Sequence, residues 1–132
     1  MKRIVAGIDI NADVNCVWDL LTRFEDWPAW GTTVTAVMSP RSRVAPGATG
    51  RVRTILGFWL PFEITDVVDG TSWHWKVAGV PATGHIIRRV GPGITRVEFT
   101  VPWPAAPYVV ALRTSLRRLK RLAERTPQGA GE

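Results

Sequence analysis

Cysteine, histidine and long apolar runs are scarce in this sequence, and each shortage narrows the class of protein. Cys16 is the single cysteine among 132 residues, so the fold cannot depend on an internal disulfide bond. No apolar run approaches the length of a membrane span, and the N-terminus lacks the apolar core of a signal peptide. We therefore expect a cytoplasmic protein without stable membrane insertion.

Residues that carry chemistry are too few for most familiar sites. His74 and His85 are the two histidines, so the sequence predicts no metal site and shows no Cys–His or Ser–His–Asp set. The Gly-Pro-Gly turn at 91–93 joins two predicted strands, whereas a phosphate-binding loop leads from a strand into a helix. We expect no cofactor.

The chain nevertheless has enough apolar material for a core. Its 132 residues predict a single domain, which we place at 1–126, followed by a flexible tail at 127–132 that contains proline and glycine. Hydrophobic residues make up 45% of the chain, and seven of them are tryptophans. A chain of this size buries roughly two-thirds of its unfolded surface, so it needs no covalent cross-link.

The segment 105–125 is the most clearly patterned part of the sequence. Its apolar residues recur every three or four positions, which predicts one buried stripe of a long helix. The stripe consists of Tyr108, Val109, Leu112, Leu116, Leu119 and Ala123. The opposite side is basic and contributes to the net charge of +6. Because cations suit the C-terminal half of a helix, we interpret this side as a solvated face rather than a nucleic-acid site.

The preceding residues predict one strand, two short helices and about six further strands. Asn11 is positioned to cap the first helix at 12–22, and the second short helix contains Trp27 and Trp30. Asp69-Gly70 is typical of a hairpin turn. This order favours an α+β fold in which a curved antiparallel sheet grips the long helix. A dense core is the simpler outcome, but a strongly curved sheet would leave a cavity for an apolar ligand.

Alternation along the strands assigns most side chains to a face. Phe62, Ile64 and Asp66 are two residues apart, so they point to the same face of the sheet, which is the apolar face. On the following strand, Trp73 and Trp75 point to the apolar face as well. The strand at 82–90 is ambiguous: either the set with Thr83, His85, Ile87 and Arg89 or the set with Gly84, Ile86, Arg88 and Val90 points inward.

Four sequence segments resemble the START-like (SRPBCC) helix-grip superfamily, in its polyketide cyclase/dehydrase-like branch. They are VNCVWDLLTRFEDWPAW at 14–30, GFWLPFEIT at 57–65, WHWKVAGVPATGH at 73–85 and GITRVEFTVP at 93–102. The resemblance implies a seven-stranded sheet around the last helix and a cavity that opens near the short helices. The ligand-binding residues that it implies are Trp30, Thr54, Leu56, Trp59, Phe62, Trp73, Trp75, Phe99, Leu112 and Leu116, with Tyr108 at the helix start.

An aldol-type cyclase or dehydratase would need a base, a group that stabilises an enolate, and a cavity that folds its substrate. His85 is the candidate base, Asp66 could orient it or act alone, and Tyr108 could donate to a carbonyl oxygen. Each also has a purely structural interpretation, in the core, at a rim or at a helix start. Arg89 could hold an anionic group if it points inward.

Three functions remain open from the sequence. In the first, the protein binds a small hydrophobic molecule, polyketide-like or lipid-like, and acts on it as a cofactor-independent cyclase/dehydratase. In the second, it is a non-catalytic carrier or sensor of such a molecule. In the third, it is an interaction domain that uses the basic helix face. We expect a monomer or homodimer that does not bind nucleic acid.

Overall fold

The computed structural model describes residues 4–101 and 106–125, with the side chains of 5–101 and 110–125. The predicted tail at 127–132 lies outside this part of the chain. The elements in chain order are β1 Ile4–Ile10, α1 Val14–Thr22, a 3₁₀ turn Phe24–Asp26, α2 Trp27–Trp30, β2 Val34–Met38, β3 Thr49–Thr54, β4 Trp59–Val68, β5 Ser72–Val77, β6 Val80–Gly91, β7 Ile94–Val101 and α3 Ala106–Arg125.

All seven strands form one antiparallel sheet in the order β1-β7-β6-β5-β4-β3-β2. The strands from β2 to β7 follow one another across the sheet, and β1 closes the far edge beside β7. The helix α3 packs on β1, α1 and α2. The α+β helix-grip fold predicted from the sequence is confirmed.

The helix α1 begins two residues later than the sequence predicts. Asp13 is the capping residue, because its carboxylate accepts a hydrogen bond from the backbone nitrogen of Asn15 at 2.9 Å. The backbone nitrogen of Asn11 instead donates to a carboxylate oxygen of Glu124 at 2.7 Å, which ties the start of this region to α3. The prediction that Asn11 caps the helix was therefore wrong.

The two tryptophans of α2 donate hydrogen bonds to the carbonyl groups at the C-terminal end of α1. The last carbonyl groups of a helix have no partner within it. Trp27 Nε1 donates to the carbonyl of Leu21, and Trp30 Nε1 donates to the carbonyl of Leu20, both at 2.9 Å. Both indole rings are buried. The two short helices are thereby joined into one unit that lies against the concave side of the sheet.

The strand β4 changes faces midway. Phe62 and Ile64 are buried, but the pairing with β5 shifts register between Ile64 and Asp66. A bulge of this kind inserts one residue and reverses the parity of the rest of the strand. Asp66 is consequently exposed beside His74, while Val67 packs on the core. The expectation that Asp66 shares the inward face with Phe62 and Ile64 was wrong for this reason.

The apolar stripe of α3 is buried as its spacing predicts over the part whose side chains are described. Leu112, Leu116, Leu119 and Ala123 are buried. Burial of a leucine side chain contributes roughly 1.5–3 kcal/mol. The opposite side is exposed and carries Arg113, Arg117, Arg118, Arg121 and Arg125. Among residues 4–101 and 106–125, no helix combines the length and apolarity needed to cross a membrane.

Candidate functional site

A small chamber lies between α2, the sheet and α3. Its volume is about 50 Å³, which is room for a few water molecules. Its walls are the residues Trp27, Trp30, Gly31, Thr32, Thr33, Val34, Trp73, Trp75, Thr83, His85, Phe99, Ala111, Leu112 and Ser115. The hollow is therefore much smaller than a curved sheet alone would leave.

Aromatic rings occupy most of the concave side. Trp27 stacks on Trp73 with ring centroids 5.1 Å apart, and Trp73 stacks on His85 with centroids 3.8 Å apart. Phe99 meets the edge of His85 at 4.9 Å. Stacked and edge-to-face rings at these distances pack favourably, so this layer is a rigid wall of the chamber.

The strand β6 turns Thr83, His85 and Ile87 inward, which resolves the ambiguity left by the sequence. Arg89, two residues further on, is exposed, so it does not reach the chamber. The alternation between buried and exposed side chains ends after Ile87. Arg88, Arg89 and Val90 are all exposed, just before the turn that joins β6 to β7.

A line of hydrogen bonds runs along the wall. Trp75 Nε1 donates to the hydroxyl of Thr83 at 3.0 Å, and this hydroxyl lies 3.1 Å from His85 Nε2. His85 Nδ1 lies 3.3 Å from the carbonyl of Trp73. Because a carbonyl can only accept, Nδ1 carries the hydrogen and Nε2 accepts from the Thr83 hydroxyl. His85 is thus held as one neutral tautomer.

Burial is the main reason that the pKa of His85 is lowered, from 6.5 to about 3. Its hydrogen bond to the Trp73 carbonyl opposes the shift, and charge on His74 adds to it. The imidazole is therefore neutral at physiological pH. It can accept or donate a hydrogen bond, but it is a weak base.

Two polar atoms in this region are buried without a hydrogen-bond partner among the described residues. They are Trp73 Nε1 and Thr54 Oγ1. A buried donor or acceptor without a partner costs about 1–3 kcal/mol. In this structure neither atom is open to a water molecule, so a guest could reach either one only after neighbouring side chains shift.

A second cavity of about 260 Å³, which we call the mouth, adjoins the chamber. The two share Thr33, Val34 and Trp75 as walls. The other residues of the mouth are Val52, Thr54, Leu60, Val77, Val80, Pro81 and Ala82. If a guest joined the two spaces, their combined volume would reach the lower end of the range for ligand pockets, roughly 300 Å³.

The structure brings many of the predicted site residues together. Those that line the chamber are Trp30, Trp73, Trp75, His85, Phe99 and Leu112, and Thr54 lines the mouth. Phe62 and Leu116 are buried in the core but line neither space. The side chain of Tyr108 lies outside the described residues.

Three of the predicted residues lie elsewhere. Leu56 is exposed because β3 ends at Thr54, so alternation no longer applies to the turn that follows. Trp59 has the parity opposite to that of the buried Phe62 and is exposed. Asp66 is turned outward by the bulge in β4, so it is not available to orient His85.

Several residues that line the two spaces are not among those predicted from the sequence. Thr83 was recognised only as one of two parity choices, although its two-residue spacing from His85 is the signal that places both on one face. Leu60 shares the parity of Phe62 and could have been found in the same way. Ser115 and Ala111 adjoin the apolar stripe of α3, and nothing in their spacing marks them as cavity residues.

The segment after α2 is fastened to α3 at the edge of the chamber. Thr32 donates its backbone N–H to the Ser115 hydroxyl at 3.1 Å, and its own hydroxyl donates to the Ala111 carbonyl at 3.2 Å. The two hydroxyls are also 3.1 Å apart. The chamber is thus closed on this side by polar contacts between two elements.

Solved structures share this architecture. The Aha1 dimer from Colwellia psychrerythraea is 20% identical and has a TM-score of 0.75 over 95% of this chain and 98% of that chain. XoxI from Bacillus cereus is 12% identical, with a TM-score of 0.72 over 93% and 96%. DynU16, a protein of the dynemicin biosynthetic locus, is 19% identical, with a TM-score of 0.70 over 95% of this chain and 48% of that chain.

Comparison with curated proteins found no match. The family model described as "Polyketide cyclase / dehydrase and lipid transport" matches residues 1–124. This match and the shared fold confirm the START-like resemblance of the sequence. The chain belongs to the polyketide cyclase/dehydrase and lipid transport family.

Proposed function

We propose that the protein binds a small apolar molecule with a neutral acceptor oxygen, such as an aromatic ketone, in the joined chamber and mouth. The observation that carries the proposal is the pair of buried, unpartnered polar atoms, Trp73 Nε1 and Thr54 Oγ1, on residues that line two spaces whose walls are mainly apolar but include several hydroxyl groups. Once neighbouring side chains shift, a ketone oxygen at Trp73 Nε1 would satisfy the buried donor while the hydrocarbon part contacts rings and aliphatic side chains.

The neutral state of His85 supports a guest without charge. A carboxylate in this apolar chamber would need a cation to offset its desolvation, and His85 supplies none near neutral pH. The residues around the chamber and the mouth contain no Arg, Lys, Asp or Glu among those described. The polar groups therefore suit one or two hydrogen bonds rather than an ion pair.

The same pKa favours carriage or sensing over an aldol-type reaction. A cyclase would require His85 to take a proton from carbon, and a base whose conjugate acid has a pKa of about 3 is poorly matched to that task at neutral pH. His85 is also engaged through both ring nitrogens. In this proposal it positions Thr83 and the Trp73 ring and does not act as a base.

The probe is 1-tetralone, with tetralin as the matched hydrocarbon that lacks the oxygen. Titration followed by tryptophan fluorescence should show binding of the ketone that is tighter by roughly two- to tenfold, since one hydrogen bond contributes about 0.5–1.5 kcal/mol. The variant Trp73→Phe keeps a ring and removes the N–H, so it should bind both compounds with similar affinity.

A second pair of variants tests the location. Val34 borders both spaces, so Val34→Trp should fill the mouth and weaken binding of both probes. Val68→Trp introduces the same ring at an exposed position at the other end of the sheet and should bind as the wild type does. The proposal is wrong if neither probe binds, or if Val34→Trp binds with wild-type affinity.

A further inference from the structure

The turn between β3 and β4 presents a cluster of large apolar side chains to solvent. Ile55, Leu56, Phe58 and Trp59, which we call the apolar tip, are between 40% and 78% exposed. Four such residues within a five-residue span exceed the scattered apolar residues that a protein surface normally shows, and contiguous patches mark interaction sites.

The turn is built so that the exposure is fixed. Gly57 has a φ of +90°, a backbone conformation that residues with a side chain rarely adopt. Its backbone N–H donates to the Thr54 carbonyl at 2.9 Å. The backbone N–H of Thr54 donates to the Phe58 carbonyl at 2.8 Å. These two bonds close the turn, and its four large apolar side chains are exposed in this conformation.

The surroundings of the apolar tip are basic. Arg51 and Arg53 are the charged residues between positions 49 and 62, and the first carboxylate after the turn is Glu63, which pairs with Thr49 at the far end of β3. Both arginines are exposed, and Arg53 pairs across the strands with Trp59. A guanidinium nitrogen of Arg53 lies 3.7 Å from the position that a Cβ on Gly57 would occupy, so this cation reaches over the turn.

We propose that the apolar tip docks on the surface of an anionic lipid bilayer, with Arg51 and Arg53 at the level of the headgroup phosphates. Apolar side chains of peripheral proteins enter the boundary of the acyl region to a depth of about 5–10 Å, and tryptophan favours that boundary. Each arginine near an anionic surface contributes about 1 kcal/mol.

The size and shape of the apolar tip favour lipid over a protein partner. A stable protein interface buries about 800 Å² on each partner, more than four side chains on one narrow turn provide. A bilayer needs only a few inserted side chains. The mouth lies beside this turn, since Thr54 and Leu60 flank the apolar tip on β3 and β4 and also line the mouth. Docking would place the mouth near the lipid, but the docking itself does not depend on what the cavity binds.

The test is co-sedimentation of the full chain with vesicles of phosphatidylcholine, alone or mixed with phosphatidylglycerol. We expect binding to the mixed vesicles that weakens as salt rises, because salt screens the arginine contacts. The double variant Ile55→Ser with Phe58→Ser should lose roughly tenfold or more in partition coefficient. The matched control replaces Val68 and Val90, two exposed valines at the opposite end of the sheet, by serine and should bind as the wild type does.

Circular dichroism and size-exclusion chromatography accompany each variant. A folded double variant that binds mixed vesicles like the wild type would overturn the proposal, as would a wild type that binds neither vesicle. A wild-type dimer that the double variant converts to monomer, without vesicle binding, would assign the apolar tip to self-association and also overturn it. Failure here leaves the tetralone experiment unaffected, because that experiment uses no lipid.

Discussion

Acidification from pH 7 to pH 5 should destabilise this protein mainly through one residue, His85. The unfolded chain binds a proton there with a pKa near 6.5, whereas burial lowers the pKa of the folded state to about 3. Between these values the unfolded state holds more protons than the folded state. The free energy of unfolding therefore rises with pH across this window, and stability is lost as the pH falls below about 6.5.

The magnitude comes from the same two values. One pKa unit corresponds to about 1.4 kcal/mol, so the slope approaches that figure per pH unit once the unfolded residue is protonated. Between pH 7 and pH 5 the expected loss is about 2 kcal/mol, from a total stability that is typically 5–15 kcal/mol. Carboxyl groups titrate mainly below this interval, so His85 should dominate it.

Urea unfolding at several pH values, followed by tryptophan fluorescence, measures this slope directly. His85→Gln should lower stability at pH 7 but remove most of the decline toward pH 5, because glutamine does not titrate. His74→Gln is the matched control and should keep the decline. If wild type and His85→Gln show the same dependence on pH, the assignment of a neutral, buried His85 is incorrect.

Two further positions, Thr83 in the chamber wall and Gly50 on β3, can be tested by the same unfolding assay, each with a matched control. Thr83→Val removes the hydroxyl that partners Trp75 Nε1 and the imidazole, so it should cost about 1–3 kcal/mol, while Thr83→Ser should cost less than its valine counterpart. Gly50→Ala places a Cβ within 2.7 Å of the Phe62 ring and against backbone as well, and should cost about 1–3 kcal/mol or more. Gly91→Ala meets its nearest atom at 3.6 Å and should be close to neutral; equal losses at both glycines would contradict the steric reasoning.

The sequence predicted the fold well because the two signals that define it are local. The three- and four-residue spacing of Leu112, Leu116 and Leu119 shows which side of α3 is buried, and Asp69-Gly70 places a hairpin turn where the structure has one. The turn residues predicted one strand and about six more, and the family resemblance implied the same total of seven. Helix ends were less certain, since Asp13 and Asn11 are both good caps and only the geometry distinguishes them.

The site was predicted less completely because it depends on where the alternation of inward and outward side chains along β3 and β4 stops. The bulge after Ile64 reverses the parity of Asp66, and no residue type in that stretch signals it. Thr54 ends β3, which takes Leu56 out of the pattern. The size of the cavity depends on where the Trp27 ring lies, because a tryptophan in a short helix can either fill the core or form the rim of a pocket, and its spacing from Trp30 does not distinguish the two.

The hydrogen bonds of the two α2 tryptophans determine which part of the chamber wall can yield. Trp27 and Trp30 are each anchored through Nε1 to the end of α1, so rotating either ring inward or outward would break a buried hydrogen bond and disturb a stack of aromatic groups. Thr32, by contrast, holds α3 through partly exposed contacts to Ala111 and Ser115. The chamber can therefore expand for a bulky guest at the lowest cost in free energy if α3 moves away from the loop after α2. The rings of Trp27 and Trp30 then stay in place.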